Sequence, residues 1–310
     1  MDWSAAEAPL VATRAVHFAA TAIMVGDVMF RTVVAAPVAR SKRAAAVSFE
    51  APTLWVSWLG LGMSVVSGAI WLLLQAASMS GMPLDAAMSA DVLSTVINET
   101  QFGQVTTLRA GLAICLAASL VYDRMAIARW GGFAAALAFA ASLAWSGHAG
   151  STTGVAGYLH LAADALHLAA TAAWIGGLAS LILFVAAARR SKAISLARDV
   201  VGRFSIMGMV SVATLLFTGF INAAVLVGSV HALVVTAYGR LLLLKLGLFT
   251  LMLVLALVNR LVLTPRLVSA ECGALRWLTR NSSVELALGL AILTIVGMLG
   301  TMHPAIHLVN

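Results

Sequence analysis

The chain has 310 residues, 62% apolar and 10% charged, with a mean hydropathy of +1.00 and a formal net charge of +7. A soluble domain carries roughly 25% charged residues, so this composition excludes a globule that turns its surface to water. Lipid is the solvent it suits. The opening Met1-Asp2-Trp3-Ser4 has no basic stretch, which predicts a retained signal-anchor helix in place of a cleaved leader.

Eight apolar runs follow, at 10–30, 54–78, 105–122, 131–147, 158–187, 205–228, 241–263 and 284–302. Each is near the ~20 residues that cross a bilayer. After the first run stand Arg31, Arg40, Lys42 and Arg43; after the third, Arg124 and Arg129. After the fifth stand Arg189, Arg190, Lys192, Arg198 and Arg203; after the seventh, Arg260, Arg266, Arg276 and Arg280. The other set of segments carries Asp2, Glu7, Asp85, Asp91 and Glu99. The positive-inside rule therefore predicts that both termini lie outside the cytoplasm, which is the periplasm if the membrane is a bacterial inner membrane. It also makes the basic charge a topology signal, with no nucleic-acid partner implied. Cys115 and Cys272 form neither a disulfide framework nor a CxxC pair.

Taken in order, the first run carries Arg14, His17, Met24 and Asp27. His17 lies about two turns in, roughly 10 Å below the outer end. The second run contains Ser67-Gly68, and the third opens on Phe102-Gly103-Gln104 and continues to Arg109 and Asp123-Arg124. The fourth ends at His148, inside the flexible Gly147-His148-Ala149-Gly150-Ser151 turn. The fifth places His160, Asp164 and His167 at i, i+4 and i+7, on one helix face, before Trp174-Ile175-Gly176-Gly177. Thr218-Gly219 and Asn222 lie in the sixth. Tyr238-Gly239-Arg240, Lys245 and Asn259-Arg260 mark the seventh, and Met298, Met302, His303 and His307 the end of the eighth.

The order repeats. His17 to Gly26 aligns with His167 to Gly176, with six of ten positions identical. Ser67-Gly68 falls opposite Thr218-Gly219, Arg109 opposite Lys245, and Asp123-Arg124 opposite Asn259-Arg260. We therefore expect an all-α polytopic membrane protein of eight transmembrane helices in two four-helix halves, 1–152 and 153–310, forming one membrane domain. An even number of spans per half makes this a parallel repeat, with any pocket between the halves.

Four histidines then fall in two equivalent pairs, His17 with His167 and His148 with His303. A lone buried histidine is more often a hydrogen-bonded packing residue. Its recurrence at the same depth favours a functional site. Imidazole suits copper, zinc, iron and nickel, and thioether selects Cu(I). The candidate metal ligands are His17, His148, His160, His167, His303, Asp164 and Met302. Asp164 is expected to orient a histidine from behind or to pair with Arg14 across the halves, ahead of binding metal itself. Were an ion to cross, the inner half offers Asp27, Glu285, Asn222, Asn259, Cys115 and methionines as possible exits. No GxSxG, Walker or HExxH pattern is present, so no enzyme is expected.

At these residues the chain resembles the copper resistance protein D (CopD) family of bacterial inner-membrane proteins. The match is most specific over Asp164-Ala165-Leu166-His167 through Trp174-Ile175-Gly176-Gly177-Leu178. Arg203-Phe204-Ser205, Thr218-Gly219, Asn222, Tyr238-Gly239-Arg240, Lys245, Asn259-Arg260, Pro265 and Glu285 follow in family order. The resemblance implies multi-pass residence in the cell inner membrane and handling of copper, as Cu(I) or Cu(II), by import from the periplasm. It also implies a CopC-like periplasmic copper-binding partner. Residues 1–9 leave no room for a fused one, so a separate protein is expected. Two other readings fit the histidines: a b-type cytochrome with His17 and His167 as axial haem ligands, and a scaffold delivering copper for oxidase assembly.

Overall fold

In the computed structural model, eight helices among the described residues are long and apolar enough to cross a membrane: Ala8–Ala39, Thr53–Ser80, Gln101–Val121, Ala126–Ser146, Gly154–Arg190, Ile194–Val227, Ala237–Arg266 and Gly273–Leu299. They are called here the first to eighth spans. The structure describes residues 7–41, 47–151, 154–191, 193–267 and 272–307. Asp2, Lys42, Arg43 and Lys192 lie outside the described residues, as do the side chains of Arg40, Cys272 and His307. Each span encloses or overlaps one of the eight apolar runs. All-helical structure follows from the composition, because a helix satisfies its own backbone hydrogen bonds where no water is available to do so.

Among the described residues, three spans contain a π-helical segment: Phe30–Ala35 in the first, Ala172–Gly176 in the fifth and Asn259–Leu263 in the seventh. Short helices that the apolar runs did not announce occupy the face shared by the two described ends of the chain. Leu84–Ala87 and Ala90–Glu99 join the second span to the third, and Val230–Val235 joins the sixth to the seventh. The third and seventh spans begin alike. Thr100 Oγ1 accepts from Gly103 N at 3.0 Å, and Thr236 Oγ1 accepts from Gly239 N at 2.9 Å. Each threonine satisfies one of the amide donors that a helix start leaves open.

The first span is the hub. It packs against the second, fourth, fifth and eighth spans, while the third closes against the second and fourth. The fifth packs against the sixth and eighth, and the seventh against the eighth. The closest passage joins the first and fifth spans at Gly26 and Gly176. A Cβ on Gly26 would strike the Ala172 carbonyl and the Gly176 backbone, and one on Gly176 would strike the Ala22 carbonyl and the Gly26 backbone. Only hydrogen fits there, so the backbones touch, as small residues permit between membrane helices. Around this crossing Met24, Val25, Phe30, Trp174 and Leu178 are buried. The sixth and seventh spans make no comparable contact with each other among the described residues. Between them lies a largely apolar cleft of about 280 Å³ lined by Phe204, Leu216, Leu257, Arg260 and Glu285.

Candidate functional site

His17 sits in a closed polar cluster inside the first four spans. Its Nδ1 lies 3.0 Å from Ser67 Oγ, and Ser67 Oγ donates to the Met63 carbonyl at 2.6 Å. Its Nε2 lies 2.8 Å from Arg109 Nη2. Guanidinium only donates, so Nε2 must accept and Nδ1 must carry the proton. Arg109 also donates to Ser142 Oγ at 2.9 Å, to the Phe139 carbonyl and to Thr21 Oγ1 at 3.3 Å. The Trp71 ring stands 5.4 Å from the imidazole, with the Arg14 guanidinium 4.9 Å beyond it over the same indole. His17 is 2% exposed. The lone pair that a metal would use is already taken.

The second four spans repeat the frame with a different filling. His167 Nδ1 lies 2.9 Å from Thr218 Oγ1, and Thr218 Oγ1 donates to the Thr214 carbonyl at 2.7 Å. Threonine thus orients His167 as serine orients His17. Gly68 and Gly219 each leave room for the neighbouring imidazole, since a Cβ would approach its Cε1 to 3.2 and 3.6 Å. Lys245 takes the place of Arg109 but acts on both His167 and Asp164 through its charge alone, without a hydrogen bond to the ring. No hydrogen bond engages His167 Nε2 among the described residues. Where the first half has Arg14, this half has Asp164, whose Oδ1 accepts from Asn222 Nδ2 at 3.1 Å. The other amide oxygen, Asn222 Oδ1, is a buried acceptor with no donor among the described residues.

His148 and His160 belong to this second cluster. His160 is buried and interacts electrostatically with His148. His148 Nε2 lies 3.2 Å from the Leu299 carbonyl, which can only accept, and its ring stands 6.3 Å from that of Tyr238. Nε2 therefore carries a proton. Met302 packs against the satellite apolar cluster of Val227, Tyr238 and Leu299, and His303 is exposed at the chain's end.

The structure thus separates the seven candidates. His160, Asp164 and His167 share one face of the fifth span, His148 reaches towards them from the end of the fourth, Met302 and His303 lie near the end of the eighth, and His17 lies within the first four spans. No three His, Cys, Asp or Glu side chains are placed to hold a metal ion together among the described residues. The expected pocket between the halves does not gather His17 and His167. The reason is helical phase: nine residues separate His17 from Gly26, about two and a half turns. When Gly26 meets the fifth span, His17 must point away from it. Arg14 and Asp164, expected to pair across the halves, instead turn to Trp71 and to Asn222. Asn222, read as part of an inner exit, lies level with Asp164.

Three features escaped the sequence reading. Arg109 as the partner of His17 was visible only as a basic residue aligned with Lys245. Arg31 and Asp123 form an ion pair between the first and third spans. Asp27, noted only as a possible exit group, is held by two serines from different spans. Serine is too common for its spacing to announce this.

Eight apolar helices folded around buried imidazole and carboxylate clusters define a multi-pass membrane protein with polar sites inside its bundle. Comparison with known proteins gives the class a name. Residues 5–158 match the family described as copper resistance protein D-like, N-terminal domain, and residues 198–299 match copper resistance protein D. Copper resistance protein D of Pseudomonas syringae pv. tomato is 30% identical over 79% of this chain and 81% of its own length. Copper transport protein CutJ of Bacillus subtilis is 28% identical over 91% of this chain and 50% of its own. Inner membrane protein YebZ of Escherichia coli is 34% identical over 52% of this chain and 55% of its own. No solved structure matches. The chain belongs to the copper resistance protein D family and is a copper-handling, multi-pass inner-membrane protein.

Proposed function

We propose that the protein imports copper without catalysis, taking it from the periplasmic side into the second-half cluster. Both chain ends then face the periplasm. His148 and His160 receive the ion, and His167 Nε2, Asp164 and Asn222 Oδ1 hold it deeper in the bundle. The observation that carries this reading is the pair of unfilled acceptors, His167 Nε2 and Asn222 Oδ1, beside a carboxylate. Mixed nitrogen and oxygen donors suit Cu(II), and a thioether at the rim suits Cu(I). Lys245 neutralises Asp164 while the site is empty and withdraws when a cation arrives. A separate CopC-like protein supplies copper at the periplasmic face, and the bilayer surrounds the rest. The CutJ relative's name supports transport. The bis-His haem arrangement finds no support, because His17 Nε2 is occupied and the two imidazoles lie in different clusters.

The test is copper content of the purified protein, with His167→Ala and Asp164→Asn set beside His17→Ala. We expect His167→Ala to lose copper, Asp164→Asn to bind at least tenfold more weakly, in line with loss of a metal-orienting carboxylate, and His17→Ala to keep it. Equal loss in the His17 variant would return the first cluster to the site. Copper bound but not taken up by proteoliposomes would make the protein a delivery scaffold.

A further inference from the structure

At the seam between the two halves one carboxylate is wholly enclosed. Asp27 is 0% exposed and follows Gly26, the residue at the crossing of the first and fifth spans. Ser57 of the second span donates to Oδ2, and Ser180 of the fifth donates to Oδ1 at 2.7 Å. π-helical segments flank the site in both crossing helices, at Phe30–Ala35 and Ala172–Gly176. An ionisable residue in a membrane bundle is costly and marks a functional position, and π-segments recur at such positions.

The charged groups acting on Asp27 are Arg31, one turn along its own helix, and Asp123 at the end of the third span. These two pair with each other. The second and fifth spans present only serines, and on the eighth Glu285 turns to Asn259. Asp27 is therefore buried with hydroxyl partners and no cation bound to it. Ser180 has a second acceptor, the Gly176 carbonyl, at 3.4 Å. When a proton from water adds to Oδ1, the new O–H donates to Ser180 Oγ. The Ser180 hydroxyl then turns its own hydrogen to Gly176. The Asp27–Ser180 contact stays hydrogen-bonded in both states with its direction reversed, and one hydroxyl rotation to the Gly176 carbonyl accommodates the proton.

We propose that Asp27, Ser57 and Ser180 form a proton-binding site at the seam of the two halves, and that its loading is coupled to the passage of copper. The coupling rests on the import reading; the proton site does not. Asp123, one-fifth exposed and joined to Arg31, is the aqueous end of the route. Proton binding replaces a carboxylate held from both sides by an acid that donates to one of them. The grip of Ser57 and Ser180 across the seam changes with it.

The first experiment is infrared difference spectroscopy of the full protein in nanodiscs, titrated between about pH 5 and about pH 9, a range wide enough to catch a displaced carboxyl. We expect a protonated-carboxyl band that is absent from Asp27→Asn and displaced in its titration by Ser180→Ala. Copper uptake into proteoliposomes is then measured with and without a pH gradient. We expect Asp27→Asn to keep wild-type copper content but lose all dependence of uptake on the gradient. No titrating band that depends on Asp27 would overturn the proton site, whatever the copper result. A titrating Asp27 with gradient-independent wild-type uptake would overturn the coupling. If the wild type binds copper nowhere, the import reading fails while the infrared result still decides the proton site.

Discussion

Arg109 shows how one side chain can decide what a histidine does. It reaches His17, Thr21, Ser142 and the Phe139 carbonyl from the third span and lies over the Phe139 ring at 3.9 Å. Among the described residues no carboxylate bonds it; neutral acceptors spread its charge. Removing it leaves buried acceptors without donors, which costs ~1–3 kcal/mol for each group stranded. We predict that Arg109→Ala destabilises the protein by at least about 2 kcal/mol, seen as a lower melting temperature in detergent. Arg109→Lys, with three donors on a point charge, should recover part of it. An unshifted melting curve in Arg109→Ala would mean that the cluster contributes little. Lys245 makes no such bond to His167, and that difference leaves His167 Nε2 without a hydrogen bond among the described residues.

Helices in this bundle are positioned by what they lack. The first and fifth spans approach until glycine meets glycine, and a methyl group there has only backbone to displace. Overpacking of this kind costs ~1–3 kcal/mol. Gly26→Ala and Gly176→Ala should each lower thermal stability by about that amount, whereas Gly62→Ala should be neutral or slightly stabilising. Gly62 has nothing within 4 Å of an added Cβ, and alanine is the better helix former. Similar melting shifts in all three would remove the crossing as a tight contact. The caps at Thr100 and Thr236 carry a second prediction at this scale. Replacing either by alanine should cost ~1 kcal/mol and loosen the start of the third or seventh span, read as faster amide exchange there.

For the molecule as a whole, the proposed copper site and the proposed proton site lie apart. The seam joins the halves through small residues and Asp27, while each half holds its imidazole away from the seam. Site-directed labelling tests the orientation on which import depends. With Cys115 and Cys272 replaced, Asp85→Cys should react with an impermeant thiol reagent added to the periplasmic side. Ser191→Cys should react only after the membrane is opened. The reverse pattern would invert the topology and the direction of transport.

Much of this was legible from residue order alone. Apolar length determined eight spans, because hydrocarbon thickness sets how many residues a helix needs. The repeated His and Ser/Thr-Gly positions pointed to the like pairs His17–Ser67 and His167–Thr218. Family membership was legible in the same motifs. Tertiary structure alone decided which atoms meet. Helical phase turns His17 away from Gly26, so shared depth did not become a shared site. The partners of Asp27 come from spans 30 and 153 residues distant in sequence. No local pattern encodes a hydrogen bond between side chains that only the packing of separate helices brings together.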